Sequence, residues 1–123
     1  MQGPALVSVV DDDLSVRESL PDLLRTFGFA SRAFSSAEEF LRSDLIDATD
    51  CLILDVAMPS MSGPTLQNEL SRLGKMIPIV FISGHGGEGL RSPLLAAGAV
   101  ECLLKPFSEA ALLHAVRAAL WPR

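Results

Sequence analysis

No apolar run in this chain of 123 residues approaches the roughly 18 that a membrane-spanning helix needs. The N-terminal Met1-Gln2-Gly3-Pro4 lacks a basic stretch leading into a long apolar segment, so no secretory leader is expected and a cytoplasmic location is. Cysteine is scarce. Cys51 and Cys102 stand far apart, match no metal or redox spacing and lie in short apolar runs, which makes them buried, reduced core residues. Positive charge is also short, with ten Lys+Arg against fifteen Asp+Glu and a net charge of −5. An acidic domain with scattered arginines is a poor match for a phosphate backbone, so direct nucleic-acid binding is not expected. Linkers, repeats and low-complexity segments are absent, and the length suits one domain over residues 1–123.

What the chain does have is apolar material, 49% of it, with 20% charged residues, far from a disordered composition. Four short continuous apolar runs at 6–10, 51–54, 79–82 and 102–104 read as parallel strands buried on both faces, and 30–34 as a weaker fifth. Helical patterns alternate with them. Val16, Leu20, Leu23, Leu24 and Phe27 make one apolar stripe, ended by Gly28. Ser36 and Glu39 form a capping box, Gly63-Pro64 opens the third helix, and Ser108 caps a last helix with Leu112, Leu113, Val116 and Leu120 inward. Strands alternating with helices demand right-handed crossovers and a parallel sheet covered on both sides.

Two prolines disturb the pattern. Pro21 falls inside the first helix, where it removes the bond to Arg17 and bends the axis. Pro93, after Gly84, Gly86, Gly87 and Gly89, delays the fourth helix to about Ser92, with Pro93 in its first turn. Residues 84–91 are expected to be the most mobile part of the chain.

In an open parallel sheet, ligands bind beyond the carboxyl ends of the strands. Asp11, Asp12 and Asp13 follow the first strand, Asp55 the third, Ser83 the fourth and Lys105 the fifth. Carboxylates gathered on one edge repel one another, which raises a pKa or demands a cation. Hard oxygen ligands on an open edge favour Mg2+. A carboxylate beside such a cation could attack a phosphoryl group and form an acyl phosphate, and Asp55, which ends a buried apolar strand, has little structural reason to be there. Ser83 and Lys105 would then meet phosphoryl oxygens. Asp13 can equally cap the first helix.

The segments Val9-Val-Asp-Asp-Asp13, Asp55-Val-Ala-Met-Pro59 with Ser62-Gly63, Ile82-Ser-Gly-His-Gly86 and Leu104-Lys-Pro-Phe107 resemble the response-regulator receiver family, in its FixJ-like form. The likeness runs through nearly the whole chain, in order. It implies a CheY-like (βα)5 fold, a doubly wound five-stranded parallel sheet with flavodoxin-like strand order 2-1-3-4-5 and helices on both faces. It implies that Asp55 accepts a phosphoryl group from a sensor histidine kinase or phosphotransfer protein. Asp12 would be a direct Mg2+ ligand, Asp11 would act through water, and Asp55 and the Ala57 carbonyl would complete the set. Ser83 takes the switch position, Lys105 that of the site lysine, and Lys105–Pro106 would be a cis peptide. The chain would catalyse only its own phosphorylation and dephosphorylation, and would not be an enzyme in the ordinary sense.

By the same resemblance, output would run through the fourth helix, fifth strand and fifth helix, a face that also supports a homodimer. Either the receiver stands alone or it belongs to a longer regulator with a helix-turn-helix output domain. One departure stands out: Cys102 occupies the position where the family usually carries Tyr or Phe, so a ring cannot report the switch. Leu104, just before the lysine, makes the edge of the last strand more apolar. His85 is either an exposed loop residue or near enough to influence an attacking water, and His114 has no assigned role.

Three other readings are weighed against this one. A pseudo-receiver acting as an interaction module without phosphorylation would better suit a chain with missing acids, and here all are present. An aspartate-nucleophile phosphatase would want a second aspartate two residues after Asp55, where Ala57 stands. An FMN phosphate would want N–H donors and positive charge in the first loop, which is acidic.

Overall fold

The first apolar run, Leu6–Val10, forms β1 and pairs in parallel on both sides, with β2 (Ala30–Phe34) and with β3 (Cys51–Asp55). The computed structural model describes residues 3–84 and 89–121. β4 (Ile79–Ser83) joins β3, and β5 (Glu101–Leu104) joins β4, giving a five-stranded parallel sheet in the order β2-β1-β3-β4-β5. This is the flavodoxin-like order expected of the family, with α1 (Leu14–Thr26), α2 (Ala37–Arg42), α3 (Gly63–Arg72), α4 (Arg91–Ala96) and α5 (Glu109–Leu120) between and after the strands.

Side chains alternate across a strand, and here both faces meet a hydrophobic layer. In β3, Leu52 and Leu54 join Phe40 of α2, Leu66 and Leu70 of α3 and Leu94 of α4. Cys51 and Ile53 turn to the other side, against Leu20 and Leu24 of α1 and Leu112 and Val116 of α5. All five residues of β3 are buried, as are all five of β4. Both cysteines are free and buried, and burial pushes the Cys51 thiol up to about 12.

Helix starts follow the expected chemistry with one exception. Side-chain oxygens of Asp13, Ser36, Ser62 and Ser108 accept from backbone N–H groups in the first turns of α1, α2, α3 and α5. Glu39 closes its box one residue early, on the N–H and hydroxyl of Ser35 rather than on Ser36. α4 starts on Leu90 with no side-chain cap, and Pro93 falls in its first turn as expected. Gly28, at φ 95°, ends α1 in the left-handed region.

Two helical faces need correction. Leu113 does not face inward on α5; Ala115 and Ala119 do, because 112, 115, 116 and 119 share one face of a 3.6-residue helix while 113 is turned about 100° away. In α1, Phe27 stays partly exposed and falls outside the buried face of Leu20, Pro21 and Leu24, while the helix continues through Pro21. Residues 85–88, with His85 and half of the stretch expected to be mobile, lie outside the described residues. Among the described residues no helix is long and apolar enough to cross a membrane.

Candidate functional site

The register of the sheet brings the chemistry together. Val10 pairs with Leu54, Asp55 with Ile82, and Ser83 with Leu104, so the residues after these positions emerge at one edge. They line an open cavity of about 510 Å3 bounded by Asp11, Asp12, Asp13, Asp55, Val56, Ala57, Ser83, Gly84, Leu90 and Lys105. Asp11, Asp12, Asp13, Asp55, Ala57 and Ser83, all singled out from the sequence, reach this cavity, as does Lys105 beyond the fifth strand.

Asp11 is fully buried and held on all sides. Its N–H donates to the Phe34 carbonyl (3.1 Å), and one carboxylate oxygen accepts from the Asp13 N–H (2.9 Å). The other accepts from Lys105 Nζ (3.1 Å), and the Asp11 carbonyl accepts from an Arg17 guanidinium nitrogen (3.0 Å). Asp12 is exposed, and among the described residues its carboxylate has no hydrogen-bond partner. Asp13 proves to be the cap of α1, and its carboxyl is held low by the hydroxyl and N–H of Ser15.

Asp55 is 6% exposed at the end of β3. Burial pushes its carboxyl up to about 7, the negative charge of Asp11 adds to the rise, and the Lys105 ammonium group opposes it. Lys105 Nζ lies 3.8 Å from Asp55 Oδ1. Burial alone would depress the Lys105 pKa, but its hydrogen bond to Asp11 and the two carboxylate charges hold it above the ordinary lysine value. The ammonium group is therefore charged and shared by two acids. The Lys105–Pro106 peptide that follows is cis.

Carboxylate oxygens of Asp11, Asp12 and Asp55 lie within 4.8 Å of one another. Three acids with one lysine leave net negative charge in a cavity open to solvent, and the donors are all hard oxygens. This set fits a divalent cation such as Mg2+, and Ala57 lines the same space. Ser83 is buried at the end of β4, and its hydroxyl has no partner among the described residues. Cys102 is buried in the layer that holds Phe81 and Leu94, so the position usually given to an aromatic ring carries a small thiol, its pKa raised by burial.

Three features escaped the sequence. Gly63 opens α3 against the back of the site: a Cβ there would collide with the Asp55 carbonyl oxygen and come within 2.9 Å of Phe81 Cε1. Its appearance after Ser62 was visible, but the close approach was not. Ser60, at φ 68°, is a non-glycine residue in the left-handed region of the β3–α3 loop. Glu101 receives a two-pronged bond from Arg91 (2.8 and 3.1 Å) and the Cys102 N–H (2.9 Å), tying the start of α4 to β5.

A family model described as response regulator receiver domain matches residues 7–117. The chain is 49% identical over 115 residues to nodulation protein W of Bradyrhizobium diazoefficiens, covering 94% of this chain and 51% of that protein. Among solved structures, that of the response regulator StyR superposes with a TM-score of 0.88 at 46% identity, over 96% of this chain and 60% of that one. A crystal structure of FixJ-N superposes with a TM-score of 0.85 at 36% identity, over 98% and 95%. The chain spans about half the length of the curated relatives it matches.

Proposed function

Because the chain belongs to the response regulator receiver family of two-component systems, whose members are signalling proteins that interact with histidine kinases, we propose that residues 1–123 form one receiver domain phosphorylated on Asp55. The observation that carries this reading is the clustering of Asp11, Asp12 and Asp55 around one cavity, with Lys105 between Asp11 and Asp55.

The donor is a phosphohistidine on a sensor kinase or phosphotransfer protein. An Asp55 carboxylate oxygen attacks phosphorus; a P–O bond forms, the bond to the donor's histidine nitrogen breaks, and its electron pair stays on the imidazole. Lys105 offsets charge on one phosphoryl oxygen and the Ser83 hydroxyl donates to another. Asp12, Asp55 and the Ala57 carbonyl, with Asp11 through water, would hold Mg2+, which would supply positive charge to offset the carboxylate and phosphoryl charge. Later a water attacks phosphorus, the P–O bond to Asp55 breaks and inorganic phosphate leaves. Ala57 is small and exposed, which gives that water easy access and shortens the phosphoryl lifetime.

Phosphorylation shifts an existing two-state equilibrium of the α4-β5-α5 surface, which also serves a homodimer. With Cys102 in place of a ring, the shift passes through the packing of Leu94 and the Arg91–Glu101 tie. The reading as an unphosphorylated interaction module loses support because each residue the chemistry needs lines one cavity.

The test is intact mass after incubation with acetyl phosphate and Mg2+, beside Asp55→Asn and an EDTA control. One phosphoryl adduct that vanishes in both controls is the expected result. No adduct from either acetyl phosphate or a cognate kinase, with no Mg2+ binding by titration, would sink the proposal.

A further inference from the structure

We infer that Arg17 is a positioning residue for the acid pair: by taking the Asp11 carbonyl it fixes the peptide joining Asp11 to Asp12, and so aims Asp12 at a divalent cation. This inference rests on the proposed function. The Asp12 carboxylate is exposed and has no hydrogen-bond partner among the described residues, so nothing local to that side chain orients it. Its direction is inherited from the backbone. A peptide is planar, with the carbonyl of one residue and the N–H of the next on opposite sides, so fixing the Asp11 carbonyl also fixes the plane from which Asp12 projects.

That carbonyl is fixed by Arg17 alone among the described residues. Arg17 sits in the first turn of α1, where its N–H donates to the Asp13 carbonyl (3.1 Å), and its half-buried side chain reaches back to put NH1 3.0 Å from the Asp11 oxygen. Unlike Arg25, Arg72 and Arg91, it forms no ion pair among the described residues. Among the described residues its side chain bonds only to a neutral backbone group beside the acids. The remaining bonds of Asp11, to Phe34, Asp13 and Lys105, are made by its N–H and carboxylate, and none of them engages the carbonyl oxygen.

Charge and positioning predict opposite signs. Arg17 is a cation near a cation site, so if it acted only by charge, removing it would tighten Mg2+ binding. If it positions Asp12, removing it weakens binding despite the relief of repulsion. The experiment is Mg2+ titration by calorimetry of the wild type, Arg17→Met and Arg17→Lys, with thermal unfolding of each metal-free protein alongside. Arg17→Met should bind Mg2+ about tenfold more weakly, the size of effect usual for groups that orient metal ligands. Arg17→Lys, which can still donate to the carbonyl, should recover part of the loss. Wild-type or tighter affinity in folded Arg17→Met overturns the inference and leaves the proposed function standing. A wild type that takes no Mg2+ sinks the proposed function and this inference with it. Should Arg17→Met not fold, Arg17→Leu, which likewise cannot donate to the carbonyl, carries the same comparison, and unchanged Mg2+ affinity there is equally fatal.

Discussion

Lys105 Nζ is hydrogen-bonded to Asp11 at 3.1 Å and stands 3.8 Å from Asp55, so its closer partner is the neighbouring acid rather than the proposed phosphoacceptor. A phosphoryl group on Asp55 would offer it a stronger partner, and the ammonium would have to turn from one to the other.

Replacing Lys105 with Met therefore separates two properties. Adduct formation with acetyl phosphate should slow by about tenfold or more, since a charged donor to the phosphoryl oxygens is lost. Mg2+ binding should tighten, because the cation that competes for Asp11 is gone. Mass spectrometry reads the first and calorimetry the second. Loss of both together would contradict this division of labour.

The raised pKa of Asp55 makes the metal-free protein sensitive to pH in a definite direction. A carboxyl at about 7 in the fold and 3.8 unperturbed binds its proton more tightly when folded. Its contribution is most favourable below the unperturbed value and declines as pH rises toward the folded value. In EDTA, the melting temperature should fall between about pH 4 and about pH 7, by an amount worth a few kcal/mol at most. Asp55→Asn should flatten much of that fall and melt higher than wild type at the alkaline end. Added Mg2+ should flatten it in the wild type. An equal slope in Asp55→Asn and wild type would assign the dependence to other groups.

Gly63→Ala should damage the site from behind. The added methyl meets the Asp55 carbonyl oxygen and the Phe81 ring, both in buried strands that cannot retreat. Overpacking of this kind costs roughly 1–3 kcal/mol. Denaturant unfolding should register it, and any folded fraction should accept phosphoryl groups more slowly.

Ser60 gives a smaller and opposite kind of test. Its φ of 68° suits glycine and penalises branching at Cβ. Ser60→Val should destabilise by about 1–2 kcal/mol, whereas Ser60→Gly should be neutral or slightly stabilising. Equal losses in both variants would mean that the serine side chain, not the backbone, matters there.

Much of this architecture was open to reading from composition and spacing, for physical reasons that differ by element. Strands buried on both faces leave continuous apolar runs, so β1, β3 and β4 stood out, and the acids after β1 and at the end of β3 had no reason except chemistry to stand beside them. β2, Ala-Ser-Arg-Ala-Phe, is an edge strand with a polar middle and gave a weaker signal. The inner face of α5 was misjudged because Leu outranks Ala on any hydrophobicity scale, yet the close packing at 115 and 119 takes alanine. Arg17, Gly63 and the Arg91–Glu101 tie were out of reach for another reason. Each acts across elements on a backbone atom or on a side chain distant in sequence, and no local periodicity encodes such pairs.

The missing side-chain cap on α4 has a consequence of its own. Four helices begin with a side-chain oxygen on an otherwise unpartnered N–H, a feature typically worth about 1 kcal/mol each. α4 lacks it, is six residues long and buries only Leu94. Amide exchange should make this the first helix to open, well below the free energy of global unfolding. The sheet beneath it, with β3 and β4 wholly buried, should exchange last. A disturbance arriving at the sheet edge thus has a rigid seat and, beyond β4, a lightly moored partner on which its work can be spent.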